Sequence, residues 1–324
     1  MQKQFTVSTS PHLRDSATTS SIMLEVCLAL LPAGIMGILF FGFGALLVIA
    51  ACVLTCVIAE YLWEKHTHKP ITIKDGSAIL TGLLLAYNLP PTAPIWLCIV
   101  GSAIAIIIVK QFFGGLGQNF LNPALAARAI LMVSWAGIMT TFIKPEFMGF
   151  LGGGADAVSV ATPLALGQSP ANYSLWQLII GDIPGTIGET SKLALLLGGV
   201  YLMWRRIIDW RTPVCFIATA FVLFLISTGK LWDAASNQSA IYQILSGGLF
   251  LGAFFMATDY VTSPITKTGK IIMGVGCGAL LFVIRSYSSY VEGCSFAILL
   301  MNVITPLIDR FTPAHPFGEV KRHE

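Results

Sequence analysis

The chain has 324 residues, of which 55% are hydrophobic and only 11% are charged, against roughly 25% charged in an ordinary soluble domain. A water-soluble fold of this size could not dispose of that much apolar surface, and runs approaching the roughly 20 residues needed to cross a bilayer recur along its length. The formal charge of +3 is small, and the basic residues lie between apolar runs without aromatic interleaving, which leaves no nucleic-acid footprint.

The opening stretch, MQKQFTVSTSPHLRDSATTSS, lacks an apolar core followed by a small-residue cleavage site, so it is expected to persist as a cytoplasmic lead-in. Spans are predicted at 22–39 and 43–63, followed by the polar segment EKHTHKPITIKDG. The next apolar piece, 76–91, is too short for a full crossing and stops at two prolines, which predicts a broken helix. A span at 94–112 leads to FGGLGQNFLNPALAARA, where Asn122 is placed to cap a fifth helix and Pro123 to occupy its first turn.

A Gly-rich, polar stretch at 139–190 interrupts the hydrophobic pattern, and further spans are predicted at 192–208, 213–229, 240–257, 269–286 and 294–309. With the N-terminus inside, fourteen basic residues fall on the cytoplasmic side and four (Lys144, Lys192, Lys230, Arg285) outside, with Arg128 unassigned. That asymmetry predicts cytoplasmic termini and an external 139–190. The seven cysteines lie mostly inside apolar runs with no CxxC spacing, and Cys52 and Cys56, which share a helix face, read as packing residues.

The piece 246–264 echoes 76–91 in its small-residue spacing and its proline stop. Since each half has five spans, the second half is expected to be inverted relative to the first. The expected fold is therefore all-α, a single integral membrane domain over 1–324. It comprises one five-helix repeat at 22–138, an external loop at 139–190 and a second repeat at 192–310. Inverted repeats with matched broken helices place a site near the midplane, where freed backbone groups line a cavity.

Within the 139–190 stretch, the run from Asp156 through Ser159, Val160, Ala161, Thr162 and Pro163 resembles the flavinylation motif Asp-x-x-Ser/Thr-Gly-Ala-Thr. In membrane subunits with that motif FMN is carried in phosphodiester linkage on the final threonine. The match makes Thr162 the attachment point and Asp156, Ser159 and Ala161 recognition positions for a flavin transferase; Val160 replaces the usual glycine. A residue before proline favours extended backbone, and neighbouring glycines let such a segment enter another enzyme's cleft.

The resemblance extends over the chain. IKDGSAILTGLLLAYNLPPTAPIW, KQFFGGLGQNFLNPALAARA, DAVSVATPLA and FFMATDYVTSP are similar, in order and spacing, to segments of the RnfD/NqrB family. The short N-terminal lead-in is closer to the RnfD side. The resemblance implies a subunit of a bacterial inner-membrane complex moving electrons between ferredoxin and NAD while translocating Na+ or H+. Its partners would be other subunits bearing flavin and iron-sulfur groups.

It also implies that Asn119 and Asn122 contact a second, non-covalent flavin, usually riboflavin, although both suit helix capping equally. Arg128, in an apolar helix, needs a partner: either it faces the cavity and steadies a reduced flavin, or it is held in a buried pair or by loop carbonyls. Asp259 matches an aspartate near the family's ion or flavin path, with Tyr260 where proline is more usual. Glu25 and Glu292, at span ends, could line an ion route, although acids near an interface more often read as solvated, and they rank below Asp259. No metal ligands and no residue of acid-base catalysis are expected. A passive inverted-repeat channel would leave the DAVSVATP run unexplained, and an NqrB-type quinone-reducing subunit stays open as the nearer alternative.

Overall fold

The computed structural model describes residues 17–145, 159–160, 162–164, 173–233, 239–288 and 292–313. Asp156 and Ala161 lie outside the described residues, and Ser159 is described by its backbone alone. The expected helical class is found, and among the described residues a two-residue antiparallel bridge pairs β1 (Phe142–Ile143) with β2 (Ser159–Val160).

The helices of the first half are α1 (Thr19–Phe41), α2 (Phe43–His66), α3 (Ser77–Tyr87), α4 (Ile95–Ala103, continuing as a π-helix over Ile104–Gln111) and α5 (Pro123–Ser134). Two short helices follow, α6 (Ala136–Met139) and α7 (Leu175–Ile180). The second half holds α8 (Lys192–Trp204), α9 (Arg211–Thr228), α10 (Ala240–Leu245), α11 (Leu249–Leu251, continuing as a π-helix over Gly252–Met256), α12 (Lys267–Tyr287) and α13 (Cys294–Phe311). Among the described residues five helices, α1, α2, α9, α12 and α13, are long and apolar enough to cross a membrane, and four shorter apolar helices accompany them.

Many large apolar side chains on the helices' outer faces stay uncovered. On α1, Leu24, Leu28, Leu31 and Ile35 are exposed at helical spacing while Ala29, Leu30, Ala33 and Gly34 turn inward. An exposed leucine stripe of that kind suits lipid and not water. The inward stripe is built of small residues, which lets backbones approach. A Cβ on Gly82 of α3 would stand 2.7 Å from the Val53 Cα on α2, and one on Gly198 of α8 would collide with the Ala29 carbonyl of α1.

The two halves pack in parallel ways. In the first, α2 packs on α3 and α4, and α5 on α3 and α4; in the second, α9 packs on α10 and α12, and α13 on α12 and the α11 π-stretch. The halves meet through α1 against α8 and α5 against α13, which occupy matching places in each series.

The described part of the 139–190 stretch is not uniformly exposed. Residues 183–190 are buried, with the amides of Ile187 and Gly188 donating to the carbonyls of Leu89 (3.2 Å) and Tyr87 (2.9 Å). These are the carbonyls that the broken end of α3 sets free. A break at membrane depth must find internal partners, and this segment supplies them.

Candidate cofactor and charge-bearing sites

The short helix α3 and the two π-stretches each turn buried residues to the interior. A cavity of about 80 Å³ lies among α1, α3, the end of the α4 π-helix, the start of α5 and the turn after α11. Its walls are largely apolar (Met23, Leu80, Leu84, Phe254, Phe255), and its polar groups include Asn119, Asn122, Lys110 and Asp259. Extra residues in a helical turn commonly mark functional sites, and here the π-helix brings Lys110 and Gln111 together onto one carboxylate.

That carboxylate is Glu60 of α2. Lys110 Nζ donates to Glu60 Oε1 (2.7 Å) and to Ser77 Oγ (2.6 Å), Gln111 Nε2 donates to the same Oε1 (3.0 Å), and Ser77 Oγ donates to Asp75 Oδ1 (2.6 Å). Glu60 Oε2 is buried without a partner. Sequence alone puts Lys110 on the cytoplasmic side and gives Glu60 no role. The structure gives Glu60 a partner in Lys110, because a carboxylate and an ammonium 50 residues apart are each costly alone inside an apolar bundle.

Both asparagines reach the cavity. Asn122 caps α5 through its Oδ1, which accepts from the amides of Ala124 (3.1 Å) and Leu125 (3.3 Å). The amide donor of Asn122 is not spent on that cap. Asn119 Nδ2 donates to the Leu121 carbonyl (2.9 Å). With its side-chain amide oriented to satisfy all its neighbours, Asn302 of α13 accepts from the Asn122 backbone amide (3.2 Å), tying the cap to the second half.

Asp259 lies across the cavity, at the turn after α11. It is half-buried, and its carboxylate accepts from the Val261 amide (3.5 Å) and the Thr262 hydroxyl (3.2 Å). Burial pushes its carboxyl up despite these two hydrogen bonds. Tyr260, where the resemblance suggests proline, donates its hydroxyl to the Ile207 carbonyl and so anchors the turn in another way.

Arg128 does not line this cavity. It is buried one layer further in, where NH1 donates to Asn88 Oδ1 (3.0 Å) and Ser295 Oγ (2.6 Å), and NH2 to Glu292 Oε2 (2.8 Å) and Glu189 Oε1 (3.4 Å). Of the two roles considered for it, the buried pair is the arrangement found.

Glu292, read from sequence as a solvated acid, is instead 9% exposed and central: its Oε1 also accepts from the Gly248 amide (2.8 Å). Glu25 fits the expectation better, pairing with the exposed Arg205 (2.5 Å) and with Tyr201. Glu189 escapes sequence reasoning altogether, hidden in a segment that reads as external loop. Its one signal is an acid three residues before a lysine at the mouth of an apolar helix.

Three cations and two carboxylates meet here: Arg128, Lys192 and Arg285 with Glu189 and Glu292. Burial first, then the neighbouring Glu292 charge, pushes Glu189 up, while Arg128 and Arg285 together outweigh burial and hold Glu292 down. The two acids therefore titrate as a pair, with a single proton favoured on Glu189.

Against this cluster a smaller cavity, of about 20 Å³, is lined by Thr162, Pro163, Gly185, Glu189, Lys192 and Glu292, among others. Tyr242 donates to the Pro163 carbonyl (3.1 Å), which fastens the Thr162 segment onto α10. The two cavities are thus joined by a polar core, since Asn88, which holds Arg128, also donates to the Leu84 carbonyl (2.7 Å) beside the larger one.

Among the described residues no cluster of three or more metal-ligating side chains occurs. Apolar outward faces, inwardly broken helices and a buried charge centre between two cavities define a polytopic membrane protein built around interior sites. The chain belongs to the NQR2, RnfD, RnfE family, whose pattern matches residues 6–318.

It is 48% identical to a protein of Acetobacterium woodii named as a subunit of a Na(+)-translocating ferredoxin:NAD(+) oxidoreductase complex, over 98% of this chain and 96% of that one. It is 45% identical to the corresponding protein of Clostridium ljungdahlii, named as a subunit of a proton-translocating ferredoxin:NAD(+) oxidoreductase complex, over 97% and 96%. Identity to a protein of Stutzerimonas stutzeri, named as a subunit of an ion-translocating oxidoreductase complex, is 40%, over 94% of each.

Proposed function

We propose that this chain is the flavin-carrying membrane subunit of an ion-translocating ferredoxin:NAD oxidoreductase complex, with FMN in phosphodiester linkage on Thr162 and a second flavin, riboflavin or a relative of it, in the larger cavity. The carrying observation is the placement of the two sites. Thr162 borders one cavity and Asn119, Asn122 and Asp259 border the other, with Arg128 and its carboxylates between them.

The residues present suit such groups. A flat, amphipathic ring system fits an apolar cavity with a few convergent polar side chains, and asparagine amides offer donors and acceptors without adding a buried charge. The flavins, when bound, supply the electron transfer, while the protein supplies tethering, orientation and a controlled dielectric. In this reading the ten predicted spans form two inverted five-helix repeats in the cytoplasmic membrane, with both termini cytoplasmic and Thr162 outside. Neighbouring flavin-bearing and iron-sulfur-bearing subunits are the electron partners, a flavin transferase loads Thr162, and the ion path passes Asp259. The duplicated packing of the two helix series and the pairing of α1 with α8 support the repeat.

Mass spectrometry of the purified chain tests the reading. A phosphodiester-linked FMN on the peptide containing Thr162, lost in Thr162→Ala, is expected; an unmodified peptide from a host with a working transferase defeats it. The relatives above are named for two different ions, so ion identity is read from Na+ dependence in energised vesicles, with Asp259→Asn as the variant.

A further inference from the structure

The charge centre beside Thr162 has a cation left over. Arg128 engages both carboxylates, whereas Lys192, only 2% exposed, donates to two backbone carbonyls, those of Glu189 and of Gly247 (3.0 Å). Arg285 likewise rests on the carbonyls of Gln243 (2.5 Å) and Ser246 (3.2 Å). Among the described residues Lys192 has no carboxylate within ion-pair distance. An ammonium has three N–H donors, so one remains, and Lys192 lines the same cavity as Thr162.

A buried cation with no carboxylate in direct contact is expensive, and it suits a place where something negative is to arrive. We propose that Lys192 is a cofactor-positioning residue, the counter-charge for the anionic flavin phosphoester joined to Thr162, and that it raises that flavin's reduction potential. The inference rests on the flavin reading above and adds to it the residue that compensates the group. Carbonyl partners suit the role: they orient the ammonium without neutralising it, which a carboxylate would do.

The test is a spectroelectrochemical titration of the purified complex, with the Thr162 flavin isolated by subtracting Thr162→Ala. Lys192→Gln is expected to retain flavin and shift its oxidised-to-reduced ratio at a fixed ambient potential about tenfold toward oxidised, equivalent to about 59 mV for a one-electron couple. Lys192→Arg, which keeps the charge, restores the wild-type position, and Glu292→Gln, which removes a negative charge from the same cavity, shifts the ratio the other way.

A loaded Lys192→Gln flavin with unchanged potential overturns the proposal. Should Lys192→Gln fail to accumulate, Glu292→Gln decides: a shift toward reduced supports the proposal, and no shift or the reverse overturns it. A wild-type chain with no flavin on Thr162 is detected before any titration, and it refutes the proposed function itself.

Discussion

Arg128 and Glu292 are 164 residues apart in the chain, one on the fifth helix of the first half and the other at the entrance to the last helix of the second, yet their side chains meet at 2.8 Å in the interior. This pair, with Glu189 and Asn88, crosses the boundary between the halves and makes each the electrostatic complement of the other.

Removing one member should therefore cost more than the pair contributes. Arg128→Met leaves Glu292 charged and buried, at about 3–5 kcal/mol, seen as a large fall in the thermal midpoint of the purified protein in detergent. Combining it with Glu292→Gln should recover part of that loss. Arg128→Lys should not, because one ammonium cannot reproduce the guanidinium fork that serves Asn88, Ser295, Glu189 and Glu292.

Glu189, pushed up to about 8 from 4.5, should hold its proton at neutral pH. Infrared difference spectra should show a protonated carboxyl band that vanishes in Glu189→Gln. The linkage sign follows: between 4.5 and about 8 the folded chain keeps a proton that the unfolded chain releases, so stability falls as pH rises through that window. Below it the contribution is complete, and in Glu189→Gln this slope should disappear.

Capping and ligand contact can be separated at Asn122. Asn122→Asp keeps an N-cap acceptor for Ala124 and Leu125 but removes the amide donor and adds a charge, so helix stability should hold while non-covalent flavin is lost on extraction. Asn122→Ala should lose the flavin and about 1 kcal/mol of stability as well. Flavin retained at wild-type level in both variants would confine Asn122 to its cap.

The close approach of helices at Gly82 and Gly198 leaves no room for a methyl group. Since the obstructing atoms are backbone of α2 and α1, no side chain can move aside. Gly82→Ala and Gly198→Ala should each cost about 1–3 kcal/mol, measured as thermal midpoint, whereas Gly137→Ala, whose Cβ would meet nothing nearby, should be neutral.

Lys110→Ala should behave like Arg128→Met, since it strands the Glu60 carboxylate, 1% exposed, with only Gln111 as donor. Lys110→Ala combined with Glu60→Gln should be better tolerated than Lys110→Ala alone, as judged by the amount of folded protein recovered.

The sequence by itself determined what depends on local composition. Runs of apolar residues specify membrane helices, the prolines after 89 mark where α3 breaks, and Asn122 before Pro123 sets the start of α5, because each depends on neighbours within a turn or two. Tertiary structure alone decided which charges meet. Lys110, Lys192 and Arg285 look like loop cations marking membrane sidedness, but they face buried acids or carbonyls, and Glu292 looks solvated until Arg128 is folded against it. Periodicity records how apolar a helix face is, not what stands opposite one charged residue on it; that is settled only when distant helices pack and exclude water.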